Sequence, residues 1–201
     1  MITEFEIKFL NIQLELLYKK FNRLGAQQIK SRVLMRRCVF DFPKALQVPG
    51  IKQWIRVRDE GDKITLTLKQ VSSTNTIEGT KESEVQVKNF EDTCAFLKAC
   101  GFIAKGYQEN YREQWTHKNI DLCIDTWPGL DPFLEIEGTT KAGVVSMVDL
   151  LGFNYAEGYF GPVDLIYEKQ GVLKANELNN IPNLTFSTIQ ETLKHIKNDL
   201  R

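Results

Sequence analysis

Apolar and polar residues alternate through most of the first 140 positions, beginning with Thr3-Glu4-Phe5-Glu6-Ile7-Lys8-Phe9. Successive side chains of a strand point to opposite faces, so Phe5, Ile7 and Phe9 share one face and Glu4, Glu6 and Lys8 the other. The alternation returns over 27–42, 51–59, 63–70, 81–87, 102–118, 120–126 and 133–138 and predicts strands there. Pro43 ends the second of them, and Glu60-Gly61-Asp62 and Lys118-Asn119 are hairpin turns. Helical spacing interrupts the strands. Leu14, Leu17, Tyr18, Phe21 and Leu24 predict a helix over 10–24 that stops at Gly25. Phe90, Cys94, Phe96 and Leu97 form the inward face of a helix over 89–100. Val144, Val145, Val148 and Leu151 make the stripe of a helix over 141–151, capped by Thr139 or Thr140. The polar stretch 71–79 reads as a mobile loop, and a last helix is expected over Phe186 to Leu200. Hairpin-linked strands with few crossover helices predict an α+β protein with antiparallel pairing, which either an open sheet or a closed barrel satisfies.

The polar faces of these strands are ionic rather than merely hydrophilic. Arg56 and Arg58 share a face, Lys69 follows on the next strand, Glu82 and Glu84 share a face, Asp121 and Asp125 another, and Glu135 and Glu137 repeat the opening pair of glutamates. Alternation is also the ordinary mark of a strand with one side in water. The return of carboxylates and cations at matching positions predicts instead a single ionic surface, of the residue types that a metal-bound polyphosphate requires.

Composition narrows the function classes. A chain of 201 residues is long enough for one sizeable core, and 42% hydrophobic with 26% charged residues is the balance of an ordinary globular protein. Lys+Arg and Asp+Glu both number 26, so no global basic field attracts nucleic acid, and no apolar run approaches a membrane span. The chain enters its first charged strand without the basic start and apolar middle of a secretory signal, which points to the cytoplasm. Cys38, Cys94, Cys100 and Cys123 have no metal-site spacing and are expected to be reduced thiols.

The ordered series Glu4-x-Glu6-x-Lys8, Ile55-Arg56-Val57-Arg58, Leu66-Thr67-Leu68-Lys69, Tyr111-Arg112, and Ile124-Asp125 through Pro128-Gly129-Leu130 to Phe133-Leu134-Glu135-Ile136-Glu137 resembles the CYTH proteins. These triphosphate tunnel metalloenzymes include class IV adenylate cyclases and thiamine triphosphatases. The resemblance implies an eight-stranded antiparallel β tunnel with charged faces inside and flanking helices outside. It covers residues 4 to about 165, so we expect a tunnel domain over 1–170 and a C-terminal appendage with a helix over 171–201. It implies Mg²⁺ or Mn²⁺ held by Glu4, Glu6, Glu135 and Glu137, since hard divalent ions take oxygen ligands. Phosphate oxygens would be held by Lys8, Arg56, Arg58, Lys69 and Arg112, with Asp125 and Lys8 as the catalytic pair. Many relatives carry a lysine where this chain has Asn110, so one phosphate contact is missing or supplied elsewhere.

On this resemblance the first expectation is a class IV adenylate cyclase-like enzyme, in which the ribose 3′-hydroxyl of ATP attacks the α-phosphorus and pyrophosphate leaves. The alternatives are a triphosphatase acting on tripolyphosphate or thiamine triphosphate, and a module that binds a nucleotide or polyphosphate without turnover. The partner is a triphosphate-containing small molecule, with no nucleic acid and no membrane, and a homodimer is compatible with all three. Arg32 and Arg36 read as a solvated strand edge, Asp121 as surface, and His117, His195, Trp54, Trp115 and Trp127 as structural.

Overall fold

The computed structural model describes residues 1–178 and 180–199. Eight strands form a closed antiparallel barrel: β1 (Ile2–Phe9), β2 (Gln27–Asp41), β3 (Lys52–Asp59), β4 (Ile64–Val71), β5 (Thr80–Val87), β6 (Ile103–His117), β7 (Ile120–Thr126) and β8 (Phe133–Gly138). Around the barrel they run β2-β3-β4-β5-β1-β8-β7-β6, and pairing of β6 with β2 closes the ring. Of the two sheets that the alternation allowed, the structure is therefore the closed one.

The apolar core lies outside the barrel. Ile7 and Phe9 of β1, Ile120, Leu122 and Ile124 of β7, and Leu134 and Ile136 of β8 point outward. They are covered by α1 (Leu14–Leu24) through Leu17 and Phe21, and by α3 (Lys141–Leu150) through Val144, Met147 and Val148. α2 (Phe90–Ala99) covers Phe40 and Val57 on the outer face of β2 and β3. Where the apolar half of a strand is committed to these helices, its polar half is left to fill the lumen. Eight strands enclose an interior about wide enough for side chains or one small ligand.

Local chemistry sets the ends of the elements. The Gly25 cap at φ 70° takes the left-handed turn that stops α1, and its N–H donates to the carbonyls of Asn22 and Phe21. Lys118 and Asn119 both have positive φ, at 50° and 62°, as the two-residue hairpin between β6 and β7 requires. The hydroxyl of Thr140 accepts from the Gly143 N–H and so caps α3, one of the two threonines expected to do so.

Several expected details differ. Phe96 is exposed, because Phe90, Cys94 and Leu97 follow one another at helical spacing and Phe96 falls about 100° to the side of Leu97. In α3 Met147 joins the buried stripe and Val145 is half-buried. The polar stretch 72–79 is anchored rather than loose: Ile77 is buried in the core under α1 and α3, and its carbonyl accepts from the Glu6 N–H at 3.4 Å.

Past α3 the chain forms α4 (Val163–Lys169), α5 (Ala175–Leu178), the short β9 (Asn183–Leu184) and α6 (Ile189–Asp199). The last helix begins later than expected because the Thr185 hydroxyl first captures the Thr188 N–H; of the expected span, Leu200 lies outside the described residues. β9 adds in parallel to β6 at Tyr107 and Gln108, on a part of β6 that β7 does not reach. Leu173, Leu178, Ile181, Leu184 and Ile189 pack there with Trp127, Leu130 and Phe133, and Tyr167 donates its buried hydroxyl to the Pro128 carbonyl at 2.7 Å. This second core lies beside the tunnel and contributes Trp127, Phe133 and Leu178 to its wall.

Candidate functional site

The lumen holds a cavity of about 310 Å³. Glu4, Glu6, Lys8, Arg56, Arg58, Lys69, Arg112, Asp125, Glu135 and Glu137 all line it. The sequence places each of them on the polar side of its own strand, and barrel closure turns those sides toward one another.

Strand register then decides which charges meet. β1 pairs with β8 so that Glu6 lies opposite Glu137 and Lys8 opposite Glu135. The Lys8 ammonium sits 2.9 Å from Glu6 and 3.2 Å from Glu135. On the other side of β1, Lys69 of β4 lies 2.8 Å from Glu4 and 3.3 Å from Glu82. Arg112 pairs in register with Asp125 and donates to both of its oxygens at 2.7 Å, while Nη2 also reaches Glu135 at 2.9 Å. Arg58 is held through Nε by Glu60 at 2.9 Å. Arg56 donates to the Thr67 hydroxyl at 3.3 Å and lies 3.7 Å from Glu84.

The electrostatics divide the carboxylates. Burial alone would raise the Glu135 carboxyl, but Lys8 and Arg112 outweigh it and hold the group well below the usual carboxylate range. Glu137 has no basic side chain paired with it among the described residues. Burial, reinforced by the carboxylates of Glu4 and Glu135, pushes it up to about 8. Glu6 is also raised, by burial working against Lys8. On the cationic side burial would lower Lys8, yet Glu135 and Glu6 keep it above its ordinary value. Arg56 is lowered to about 10 by burial and by Arg58 beside it.

This donor set fits a divalent cation. Carboxylate oxygens of Glu6, Glu135 and Glu137 lie within 4.8 Å of one another, as do those of Glu4, Glu82 and Glu137. Glu137 belongs to both groups and, among the described residues, has no cation within ion-pair distance to compensate it, Lys69 acting only from further away. A hard cation with oxygen ligands would supply that compensation.

Some lining residues were not anticipated. Glu82 and Glu84 of β5 line the cavity, as do Glu60 and Arg37. Glu82, Glu84 and Arg37 lie on strands that the alternation predicts, and Glu60 in the hairpin turn after β3, but no motif marks them. Asp121, expected at the surface, lines the tunnel opposite Glu137, because the alternation that brings Asp125 inward brings Asp121 inward too. Trp54 and Trp127 also line it, whereas Trp115 packs outside against Phe21. Arg32 and Arg36 point away: Arg32 stacks on Tyr111, and Arg36 pairs with Asp59 and Glu91. Among the described residues no helix is long and apolar enough to cross a membrane.

Comparison with known proteins gives a consistent picture. The sequence profile of the CYTH domain matches residues 3–144. No curated protein matches the chain. Among solved structures, a conserved hypothetical protein from Pyrococcus furiosus is similar at 22% identity and a TM-score of 0.63, over 78% of this chain and 94% of that one. A candidate adenylate cyclase from Vibrio parahaemolyticus is similar at 10% identity and a TM-score of 0.66, over 83% of this chain and 98% of that one. A candidate adenylyl cyclase from Hippeastrum, described as having a dominant triphosphatase activity, is similar at 18% identity and a TM-score of 0.53, over 86% and 97%. At these identities the likeness is one of fold.

Proposed function

This chain belongs to the CYTH domain family, and from that premise we propose that it is a divalent-metal-dependent enzyme acting on a triphosphate held inside the tunnel. The observation that carries the proposal is the meeting, in one cavity, of a carboxylate cluster and a set of buried cations. Glu6, Glu135 and Glu137 would hold Mg²⁺ or Mn²⁺, with Glu4 beside them. A cation so held neutralises phosphate charge and favours ionisation of an attacking oxygen.

The chain's own residues do the rest. Lys8, Lys69, Arg56, Arg58 and Arg112 present donors to phosphate oxygens, Arg as a fork and Lys as a point charge. Their carboxylate partners fix each cation before substrate arrives, so little reorganisation is needed as charge builds up in the transition state. These side chains are largely buried, and the lower dielectric around them strengthens the contacts.

Of the reactions open to such a site, hydrolysis of the terminal phosphate is the one the geometry favours. Both oxygens of Asp125 are engaged by Arg112, which suits Asp125 to orienting that guanidinium rather than to taking a proton from a ribose hydroxyl. This reverses the order suggested by resemblance alone. Cyclisation of ATP is the second reading, and Trp54 on the cavity wall is the observation in its favour, as an aromatic face available to a base. Incubation with Mn²⁺ and either tripolyphosphate or ATP, with chromatographic resolution of products, separates the readings. Orthophosphate from tripolyphosphate is expected. Cyclic AMP and pyrophosphate from ATP, with tripolyphosphate left intact, would install the cyclase instead, and tight binding with no product would leave a binding module.

A further inference from the structure

Arg37 of β2 lines the cavity on the wall opposite the metal-type carboxylates. Around the barrel, β2 is four steps from β1 in either direction, through β3, β4 and β5 or through β6, β7 and β8. Arg37 thus faces the strand that carries Glu6 and Lys8. It is 8% exposed.

Its surroundings set it apart from the other cations of the tunnel. Lys8, Lys69, Arg56, Arg58 and Arg112 each have a carboxylate partner. Arg37 has none among the described residues. Its guanidinium stacks 4.3 Å from the centre of the Trp127 ring, and Nη2 donates to Asn110 Oδ1 at 2.5 Å. Asn110 is fully buried and Trp127 nearly so. These neutral neighbours aim the guanidinium without offsetting its charge. Burial, and then Arg56 and Arg58 nearby, outweigh Asp125 and pull its pKa well below the ordinary arginine value. Arg37 Nε and Trp127 Nε1 are buried without a hydrogen-bond partner, as is Nε of Arg56.

A buried cation without a counterion is costly, and a neutral side chain of similar size would serve packing better. A guanidinium that lines the cavity with no carboxylate of its own lacks one thing, an anionic oxygen. We propose that Arg37, positioned by Asn110 and by the face of the Trp127 ring, is a substrate-binding residue that takes phosphate oxygens from the wall opposite the carboxylates. The assignment rests on the triphosphate reading above and sharpens it. A ligand engaged at Glu6, Glu135 and Glu137 through a cation and at Arg37 across the lumen carries charge at both ends, as a condensed phosphate chain does and orthophosphate does not. Arg37 also provides a cation at Asn110, where the chain has none of its own.

Calorimetric titration of tripolyphosphate in the presence of Mn²⁺ tests this, with the wild type compared with Arg37→Gln, Arg37→Lys and Trp127→Phe. Loss of one charge-assisted contact should weaken tripolyphosphate binding by about 10–100-fold in Arg37→Gln and by less in Arg37→Lys. Orthophosphate binding should be weak throughout, and Trp127→Phe should remove most of the fluorescence change that tripolyphosphate induces. Mn²⁺ affinity, read by electron paramagnetic resonance, should be unchanged. The ligand-free melting temperature of Arg37→Gln should hold or rise, since an uncompensated charge has been removed; a purely structural arginine would lower it. Tripolyphosphate affinity indistinguishable from wild type in Arg37→Gln, or a fall in stability shared by both Arg37 variants, overturns the assignment while leaving the triphosphate reading in place. Absence of tripolyphosphate binding by the wild type overturns that reading and this assignment together.

Discussion

Replacing Glu137 by glutamine probes the cation site through stability, without relying on turnover. In the metal-free fold, burial and the carboxylates of Glu4 and Glu135 push the Glu137 carboxyl up to about 8. A group whose folded-state pKa is raised contributes stability that is complete below its unfolded value and is lost as pH rises through the folded one. Each pH unit in that window is worth about 1.4 kcal/mol, so between about pH 5 and about pH 7 Glu137 alone removes roughly 3 kcal/mol. Glu6, also raised, acts in the same direction. For a chain of this size a kcal/mol moves the melting temperature by about 2–4 °C, so the metal-free protein should melt roughly 6–12 °C lower at the higher pH. Glu137→Gln keeps the shape and removes the ionisation. Its metal-free melting temperature should exceed that of the wild type at pH 7 and depend on pH much less. Mn²⁺ should restore the wild type at pH 7 by binding the folded state, and should do so only weakly in the variant. Scanning fluorimetry at the two pH values, with chelator or with Mn²⁺, gives every number. A wild-type melting temperature that is flat or rising with pH in chelator, or a variant that responds to Mn²⁺ as fully as the wild type, would refute the reasoning.

Three further outcomes are expected. Asp125→Ala leaves Arg112 with one of its two carboxylate partners gone from a buried pair, and urea unfolding should show a loss of about 3–5 kcal/mol. A Cβ at Gly106 would meet the Ile181 carbonyl oxygen at 2.8 Å, so Gly106→Val should loosen β9 from β6, costing about 1–3 kcal/mol and speeding protease cleavage in the 171–188 stretch. A hydrogen bond from the Cys94 thiol lowers Cys38 to about 7, whereas burial pushes Cys123 up. In a Cys100→Ser background iodoacetamide at neutral pH should therefore label Cys38 well before Cys123, which peptide mass spectrometry resolves.

Much of the candidate site was legible because inward and outward are local properties of a strand. Glu4, Glu6 and Lys8, Arg56 and Arg58, and Glu135 and Glu137 each sit two residues apart opposite apolar neighbours, and period two alone places each set on one side. The same rule, followed without regard to motifs, brings in Asp121, Glu82 and Glu84, but not Arg37, which shares its side of β2 with Val33, Met35 and Val39 while Arg36 occupies the other. Asp121 lies outside the family-like series, yet its parity is that of Asp125, and parity rather than motif puts it in the tunnel. Helix faces were legible to the same degree, and the error at Phe96 came from following hydrophobicity where angle decides.

What the sequence by itself determined, then, is the set of elements and the two-sidedness of each. Strand length, the hairpin turns at Gly61 and Lys118-Asn119, and the commitment of one face to carboxylates and cations all follow from neighbouring residues. The tertiary structure alone decided which faces meet. Closure joins β2 to β6 across more than sixty positions of chain, and only then do Glu6, Glu135 and Glu137 converge while Arg37 is set opposite them. Register is set by the packing of outer faces under α1, α2 and α3, and it pairs Lys8 and Arg112 with carboxylates but, among the described residues, leaves Arg37 and Glu137 without an ion-pair partner. Charge compensation depends on distances between residues remote in sequence, so no local pattern carries it.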